Sequence, residues 1–262
     1  MQNFRFKKKY GQNFIKNKAI VQKIVNSSEI EDDSLIIEVG PGKGVLTEVL
    51  SEKADKVLCY EIDSELETHL ISLQKKLGNV EIIFGDFLDA NIVENISKYN
   101  YKHIYFISNV PYYITTPILM KIMECKINFD KIVMMVQEEV GERFSASPGK
   151  KAYSSITVYL NYYYDVKRLF KVNRSQFIPV PNVDSEVVMF SSKKDKLFLK
   201  NEKLFFELVR DSFKFKRKTI KNNLKKYNLN IIEKVLIDNG FSLSSRAEQI
   251  PVEVFVQISN AL

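Results

Sequence analysis

The stretch "LIIEVGPGKGVLTEVLSEK", residues 35–53, decides the fold. An apolar run of strand length, "LIIEV", passes straight into Gly40, Gly42 and Gly44, and then into a helical stretch, "VLTEVLSEK". Glycines in that turn let backbone N–H groups approach a ligand at the strand's C-terminal end, where open α/β sheets bind ligands. The spacing is G-x-G-x-G, not the G-x-G-x-x-G that fits a dinucleotide pyrophosphate. Taken alone, such a strand–turn–helix junction also occurs with no ligand.

Working outward, the runs 35–39, 56–62, 80–84, 103–107 and 131–137 read as buried strands, each separated from the next by enough chain for a crossover helix. That alternation is the mark of α/β architecture: a mostly parallel, doubly wound, Rossmann-like sheet covered on both faces. Two later segments, "SSITVYLNYYYDVKRLFKV" and "SEVVMFSSK", are β-rich and predict further strands, an antiparallel addition at one edge. After Ser192 the character changes. "KKDKLFLKNEKLFFELVRDSFKFKRKTIKNNLKKY" places Leu204, Leu208, Phe213, Ile220 and Leu224 at helical spacing opposite a basic face. The remainder, through "RAEQIPVEVFVQISNAL", reads as short helices, with Pro251 opening the last one. The expected organisation is an α/β domain over 1–192 and a small all-helical domain over 193–262.

The bulk properties narrow the function classes. At 262 residues, with 45% hydrophobic and 27% charged residues, the composition is that of a soluble globular protein. No apolar run approaches the roughly 20 residues that span a bilayer. The basic start, "MQNFRFKKKYGQNF", lacks the apolar stretch that would make it a secretory signal. Cys59 and Cys125 lie far apart, and His69 and His103 are equally isolated. Metal-ligand spacing and a Cys–His nucleophile signature are therefore absent. The expectation is a reducing cytoplasm, no metal, no membrane, and a monomer by default. Charge is uneven: residues 1–192 carry 24 Lys/Arg and 24 Asp/Glu, whereas 193–262 carry 15 and 8, and the first 25 residues hold seven bases and no acid. Basic clusters flanking a neutral core point to a polyanion, and nucleic acid is the usual one. Solubilising surface lysine is the plainer alternative.

The tips of the successive strands carry the chemistry. Strand two ends "VLCYEID", placing Glu61 where a carboxylate can accept both hydroxyls of a ribose. Strand three ends "IIFGDFL", where Asp86 can accept the amino group of an adenine. Either acid alone also fits a helix N-cap. Three adjacent tips bearing a glycine loop, an acid and an acid fit a nucleoside better. Without a pyrophosphate fingerprint, that nucleoside points to S-adenosylmethionine rather than NAD.

Strand four runs into "FISNVPYYITTPI", residues 106–118. A plain turn has no use for an amide, a proline and paired tyrosines. The element suits transfer to a planar amine, whose lone pair is delocalised into its ring. Acceptors such as the Asn109 side-chain oxygen and a backbone carbonyl near Pro111 can bind the amine hydrogens and turn that lone pair outward. Tyr112 can stack on the base, as unpaired bases are commonly held. Alignment and charge placement then supply the rate, with no strong base.

In this order, "KKKYGQNFIKNKAI", "IEVGPGKG", "YEID", "GDF", "NVPYYITTPI" and "FIPVPNVDSEVV" resemble the rRNA adenine N6-dimethyltransferases over nearly the whole chain. Together with "KRKTIKNNL", read as a basic helix, and "RAEQIPVEVF", "NVPYYITTPI" resembles the bacterial small-subunit type rather than the erythromycin-resistance methylases of large-subunit rRNA. The resemblance implies a class I methyltransferase fold, S-adenosylmethionine as donor, and dimethylation of two adjacent adenines near the 3′ end of small-subunit rRNA, late in subunit assembly. It also implies roles for matching residues. Asn13 and Ile15 would close over the cofactor, Gly40 and Gly42 would lie along its methionine part, and Glu61 and Asp86 would hold ribose and adenine. Asn109 would border cofactor and target amine, Pro111 would belong to the same clamp, and Tyr112 would stack the target base. Phe177 would be a second aromatic wall or, equally, a core residue. The helical domain would help dock the pre-ribosomal particle. Two departures stand out: Tyr113, where many relatives have Asn, and Phe215-Lys216, where a glutamine–arginine pair is more usual before Arg217-Lys218-Thr219.

Rival readings are a large-subunit resistance methylase, a non-catalytic rRNA-binding assembly factor, a dehydrogenase and a DNA adenine methyltransferase. The glycine spacing speaks against the dehydrogenase, the intact Asn-x-Pro-Tyr element against a non-catalytic factor, and the resemblance alone against DNA.

Overall fold

The structure, a computed structural model, describes residues 13–262. Arg5, Lys7, Lys8 and Lys9, from the basic start, lie outside the described residues. In chain order the elements are β1 (Phe14–Ile15), α1 (Lys18–Ser27), β2 (Ser34–Val39), α2 (Val45–Ser51), β3 (Lys56–Glu61), α3 (Glu67–Leu77), β4 (Val80–Phe84), α4 (Ile92–Ile96), β5 (His103–Ser108), α5 (Thr115–Glu124) and β6 (Lys131–Gln137). There follow α6 (Glu138–Phe144), α7 (Ser155–Tyr163), β7 (Tyr164–Val172), β8 (Phe177–Ile178), β9 (Ser185–Ser192), α8 (Glu202–Ser212), α9 (Ile220–Asn223), α10 (Leu229–Asp238) and α11 (Val252–Ala261).

Seven strands form one sheet in the order β4-β3-β2-β5-β6-β9-β7. The pairs β2–β3, β3–β4, β2–β5 and β5–β6 are parallel, and β9 is antiparallel to β6. All six residues of β2 are buried, as expected of a central strand covered on both faces. Burying a Leu or Ile such as Leu35, Ile36 or Ile37, each 0% exposed, contributes roughly 2 kcal/mol. The chain steps from β2 outward through β3 to β4, then returns to the other side of β2 as β5. That reversal leaves a crevice at the C-terminal ends of β2 and β5, the place where doubly wound sheets bind ligands.

Two expectations are corrected. The segment from Ser154 to Val172 is not all strand: its first half is α7 and only its second half is β7. Backbone Ser154 N donates to Thr157 Oγ1 at 3.1 Å and starts the helix. Ile156, Val158, Tyr159, Leu160 and Tyr162 are all buried, so α7 is covered nearly all round and has no apolar period to distinguish it from a strand. Likewise "KFKRK", residues 214–218, is not helical; it forms the turn between α8 and α9. Asn223 Nδ2 donates to Ser212 O at 2.6 Å and to Phe215 O at 3.3 Å, which ties that turn down.

The chain divides into two compact units. The first comprises the described residues up to Gly141 with Lys167–Ser192, and the second comprises Glu142–Val166 with Lys193–Leu262. The helical unit thus takes α7 from a stretch that the sequence alone assigns to the first domain. Within it α7, α8 and α11 pack together, with α10 on α11. The Tyr159 ring lies 4.6 Å from Phe206, and its hydroxyl donates to Phe206 O at 2.8 Å. Tyr153 donates to Ile250 O at 3.1 Å, satisfying a phenol that burial would otherwise leave costly.

Candidate active site

A cavity of about 160 Å³ opens at the C-terminal ends of β2, β3, β4 and β5, and Gly40, Gly42, Glu61, Asp86, Asn109, Pro111 and Tyr112 all line it together with Asn13 and Ile15. The fold therefore brings these nine residues together, whereas Phe177, the candidate second wall, does not line the cavity.

The glycine turn is set by close packing. Gly42 has φ +59°, and a Cβ there would lie 2.5 Å from Phe14 Cε1. Gly44, at φ +78°, would put a Cβ 2.2 Å from Leu73 Cδ2 of α3. Both conformations favour glycine, and both neighbours leave no room for a side chain. Gly40 N donates to Tyr60 O at 2.8 Å, which lashes the turn to β3.

Glu61 follows from that arrangement. The residue is 3% exposed, its Oε2 accepts from Gly42 N at 3.1 Å and its Oε1 from Asp63 N at 2.9 Å. Burial raises its pKa, opposed by those two backbone donors. A carboxylate oxygen accepts more than one hydrogen bond, so each oxygen retains acceptor capacity toward the cavity it lines. Asp86 is half-buried, and its Oδ1 accepts from Leu88 N at 2.9 Å, so one oxygen serves the turn after β4.

At the end of β5, Asn109 Nδ2 donates to Asn13 O at 3.0 Å. Pro111 O accepts from Ile114 N at 3.2 Å and so closes the short 3-10 turn Tyr112–Ile114. The Tyr112 hydroxyl lies 2.6 Å from Ser185 Oγ at the start of β9, while burial raises the phenol pKa. Tyr113, 58% exposed, also lines the cavity. The strap carrying Asn13 is held by antiparallel pairing of β1 with β8, Phe14 opposite Ile178 and Ile15 opposite Phe177. Phe177 is 0% exposed and belongs to the hydrophobic core with Ile15, Ile24 and Val172. Of its two readings, core residue is the one its burial fits.

Three residues escape a reading of the sequence. Phe14 covers Gly42, and Ser185 anchors Tyr112 from 73 positions away. Glu38 lies inside β2, 2% exposed, where Thr47 Oγ1 donates to its Oε2 at 2.7 Å and Cys59 Sγ lies 3.6 Å from the same oxygen. Burial pushes its pKa up to about 7, and the neighbouring Glu61 charge adds to the rise. An acid in the middle of an otherwise apolar central strand is the signal that could have found it. Among the described residues no cluster of His, Cys, Asp and Glu is suited to a metal ion, and no helix is long and apolar enough to cross a membrane.

Comparison with known proteins places this geometry. The family model for ribosomal RNA adenine dimethylase matches residues 3–262. The ribosomal RNA small subunit methyltransferase A of Streptococcus thermophilus is 39% identical over 268 residues, covering 99% of this chain and 92% of that protein. The protein of the same name from Bacillus cereus is also 39% identical, over 269 residues, with the same coverage. Among solved structures, a dimethyladenosine transferase from Plasmodium falciparum superposes with a TM-score of 0.77 at 26% identity, covering 94% of this chain and 95% of that one. The 23S rRNA methyltransferase ErmE gives 0.73 at 24% identity, over 95% and 99%, a likeness of fold. With a match that spans nearly its whole length, the chain belongs to the ribosomal RNA adenine dimethylase family.

Proposed function

We propose that the protein transfers methyl groups from S-adenosylmethionine to N6 of two adjacent adenines in small-subunit rRNA, as a cytoplasmic monomer acting on the assembling subunit. The observation that carries the reading is the placement of Asn109, Pro111 and Tyr112 beside Glu61 and Asp86 in one cavity. The names of the relatives at 39% identity support the small subunit as substrate.

The residues present fit the donor. Glu61 is a buried carboxylate with one backbone donor on each oxygen and acceptor capacity left for a pair of ribose hydroxyls. Asp86 would take the adenine amino group, Gly40 and Gly42 would lie along the methionine part, and Asn13 and Ile15 would cover it. When bound, S-adenosylmethionine supplies a methyl group on a sulfonium, already an excellent leaving group.

The chain's own residues then act on the target amine. Asn109 Nδ2 is engaged by Asn13 O, so Oδ1 is the atom left to accept an N6 hydrogen. The Pro111 carbonyl already accepts from Ile114 N at 3.2 Å and from the Thr115 hydroxyl at 3.5 Å, so the second hydrogen falls to another backbone carbonyl beside Pro111. With both hydrogens bound, the nitrogen lone pair is directed out of conjugation, and Tyr112 holds the base by stacking. The proton released from the methylated amine passes to water, so no base of raised basicity is required.

Incubation with radiolabelled S-adenosylmethionine and unmethylated small ribosomal subunits, followed by nucleoside analysis, tests this. Labelled N6,N6-dimethyladenosine in small-subunit rRNA is the expected product. Label confined to large-subunit rRNA would overturn the substrate, and binding to the particle with no label on any RNA would leave an assembly factor without catalysis.

A further inference from the structure

The turn between α8 and α9 displays an aromatic ring among cations. Residues 214–218, Lys-Phe-Lys-Arg-Lys, are all exposed, and Phe215 keeps 56% of its surface open. Its backbone is nevertheless pinned: Phe215 O accepts from Lys218 N at 2.9 Å and from Asn223 Nδ2 at 3.3 Å. Phe213, two positions earlier, is spent on packing, with its ring 6.0 Å from Phe255 and 6.1 Å from Tyr153. Phe215 has no such use. Among the described residues no carboxylate pairs with Lys214, Lys216, Arg217 or Lys218. The acid nearest in sequence, Asp211, is held by Lys226 at 2.7 Å and by the Tyr227 hydroxyl at 2.8 Å.

A ring more than half exposed forgoes the stabilisation that burial would bring, and four cations without a carboxylate partner add mutual repulsion. Both features are complemented by one partner chemistry. Phosphates neutralise the cations with release of counterions, and an unpaired base covers the ring. A paired duplex offers the phosphates but no free base face, and an acidic peptide offers charge but no flat aromatic partner. The Lys214 ammonium lies over the Phe215 ring, 5.7 Å from its centroid, within reach of the phosphate of a base that stacks on that ring.

We propose that Phe215 is a base-stacking residue: an unpaired base of the ribosomal RNA lies on its ring while Lys214, Lys216, Arg217 and Lys218 hold the neighbouring phosphates. The contact rests on the rRNA substrate proposed above and adds a second point of recognition on the helical unit.

The chain contains no tryptophan, so Phe215→Trp introduces a single fluorophore at the site. Naked small-subunit rRNA should quench its emission on binding. Phe215→Ala should weaken that RNA by about 5- to 100-fold, with the slope of log affinity against log salt unchanged and the melting temperature kept. Phe215→Trp should retain wild-type affinity. Lys216→Ala should instead shallow the salt slope by about 0.7 for each lost phosphate contact. Wild-type affinity in Phe215→Ala, or RNA binding without any change in the Phe215→Trp emission, overturns the stacking while leaving the methyl-transfer reading intact. An effect seen on assembled subunits but not on naked rRNA overturns it in favour of a ribosomal protein. A wild-type protein that neither binds nor labels rRNA overturns both readings.

Discussion

Asn109 donates its side-chain amide to the backbone carbonyl of Asn13, 3.0 Å away and 96 positions earlier in the chain. A backbone carbonyl can only accept, so this contact settles which end of the amide faces it. The oxygen of Asn109 is thereby assigned to the other side, as an acceptor in a cavity otherwise edged by Glu61, Asp86 and Tyr112. The strap that would cover the cofactor and the amide that would grip the target are thus one hydrogen-bonded unit. That unit depends in turn on β1–β8 pairing, in which Ile15 packs opposite the buried Phe177.

Asn109→Ala removes the acceptor and releases the strap at the same point. Methyl transfer should fall by on the order of 10²-fold or more in kcat, because the lone pair of the target amine is no longer directed. Affinity for rRNA should stay within about twofold, since the basic turn of the helical unit is untouched. Single-turnover labelling beside a filter-binding titration separates the two quantities, and full activity in this variant would sink the clamp.

Gly42→Ala tests the cradle rather than the clamp. The added methyl meets the Phe14 ring at 2.5 Å, and the backbone is held at φ +59°. Phe14 must move or the turn must open, and Gly42 N then loses its grip on Glu61 Oε2. Cofactor affinity measured by calorimetry should drop at least tenfold, with a stability loss of about 1–2 kcal/mol from the strained residue. Unaltered cofactor binding would mean that the turn and Glu61 hold nothing.

The parallel core was legible because each strand from 35 to 137 is apolar along its length and punctuated by glycine, acid or amide. Position alone then draws Glu61, Asp86 and Asn109 to one edge, since successive parallel strands end on the same side. Other features had no local signal. The buried helix α7 looks like a strand because it is covered nearly all round and rich in β-branched and aromatic residues. The turn at 214–218 depends on the Asn223 side chain reaching back to Ser212 and Phe215. Ser185 matters only because it meets Tyr112; Glu38 shows in the sequence as an acid inside an apolar strand, but its partners Thr47 and Cys59 do not. Such partners are set by packing between elements, which a single sequence does not display.

Tyr112 separates two effects of one side chain. Tyr112→Phe keeps the ring but removes the hydroxyl that meets Ser185, buried at 0% exposure. The expected cost is about 1–2 kcal/mol of stability, for a buried hydroxyl left unpaired, with most methyl transfer retained. Tyr112→Ala removes the stacking face as well, and the KM for rRNA should rise by roughly tenfold. Equal kinetics in the two variants would place the role of Tyr112 in its hydroxyl and not in its ring.

Glu38 makes stability fall as pH rises. Its carboxyl titrates near 7 in the folded protein because burial disfavours the charge, against an ordinary value of 4.5. Between those values the folded state holds a proton that the unfolded chain has released. Unfolding free energy therefore declines as pH climbs from about 4.5 to about 7 and levels off above it, by at most about 3 kcal/mol for this one group. Glu38→Gln keeps a neutral acceptor for Thr47 and removes the titration. Urea denaturation at pH 5 should find the variant close to the wild type, and at pH 8 the variant should be the more stable of the two. Glu61, also raised by burial, acts with the same sign and is present in both proteins, and its coupling to Glu38 is part of the difference that the comparison reads. A constant difference between variant and wild type at the two pH values would mean that Glu38 stays charged throughout, with its hydrogen bonds to Thr47 and Cys59 outweighing its burial.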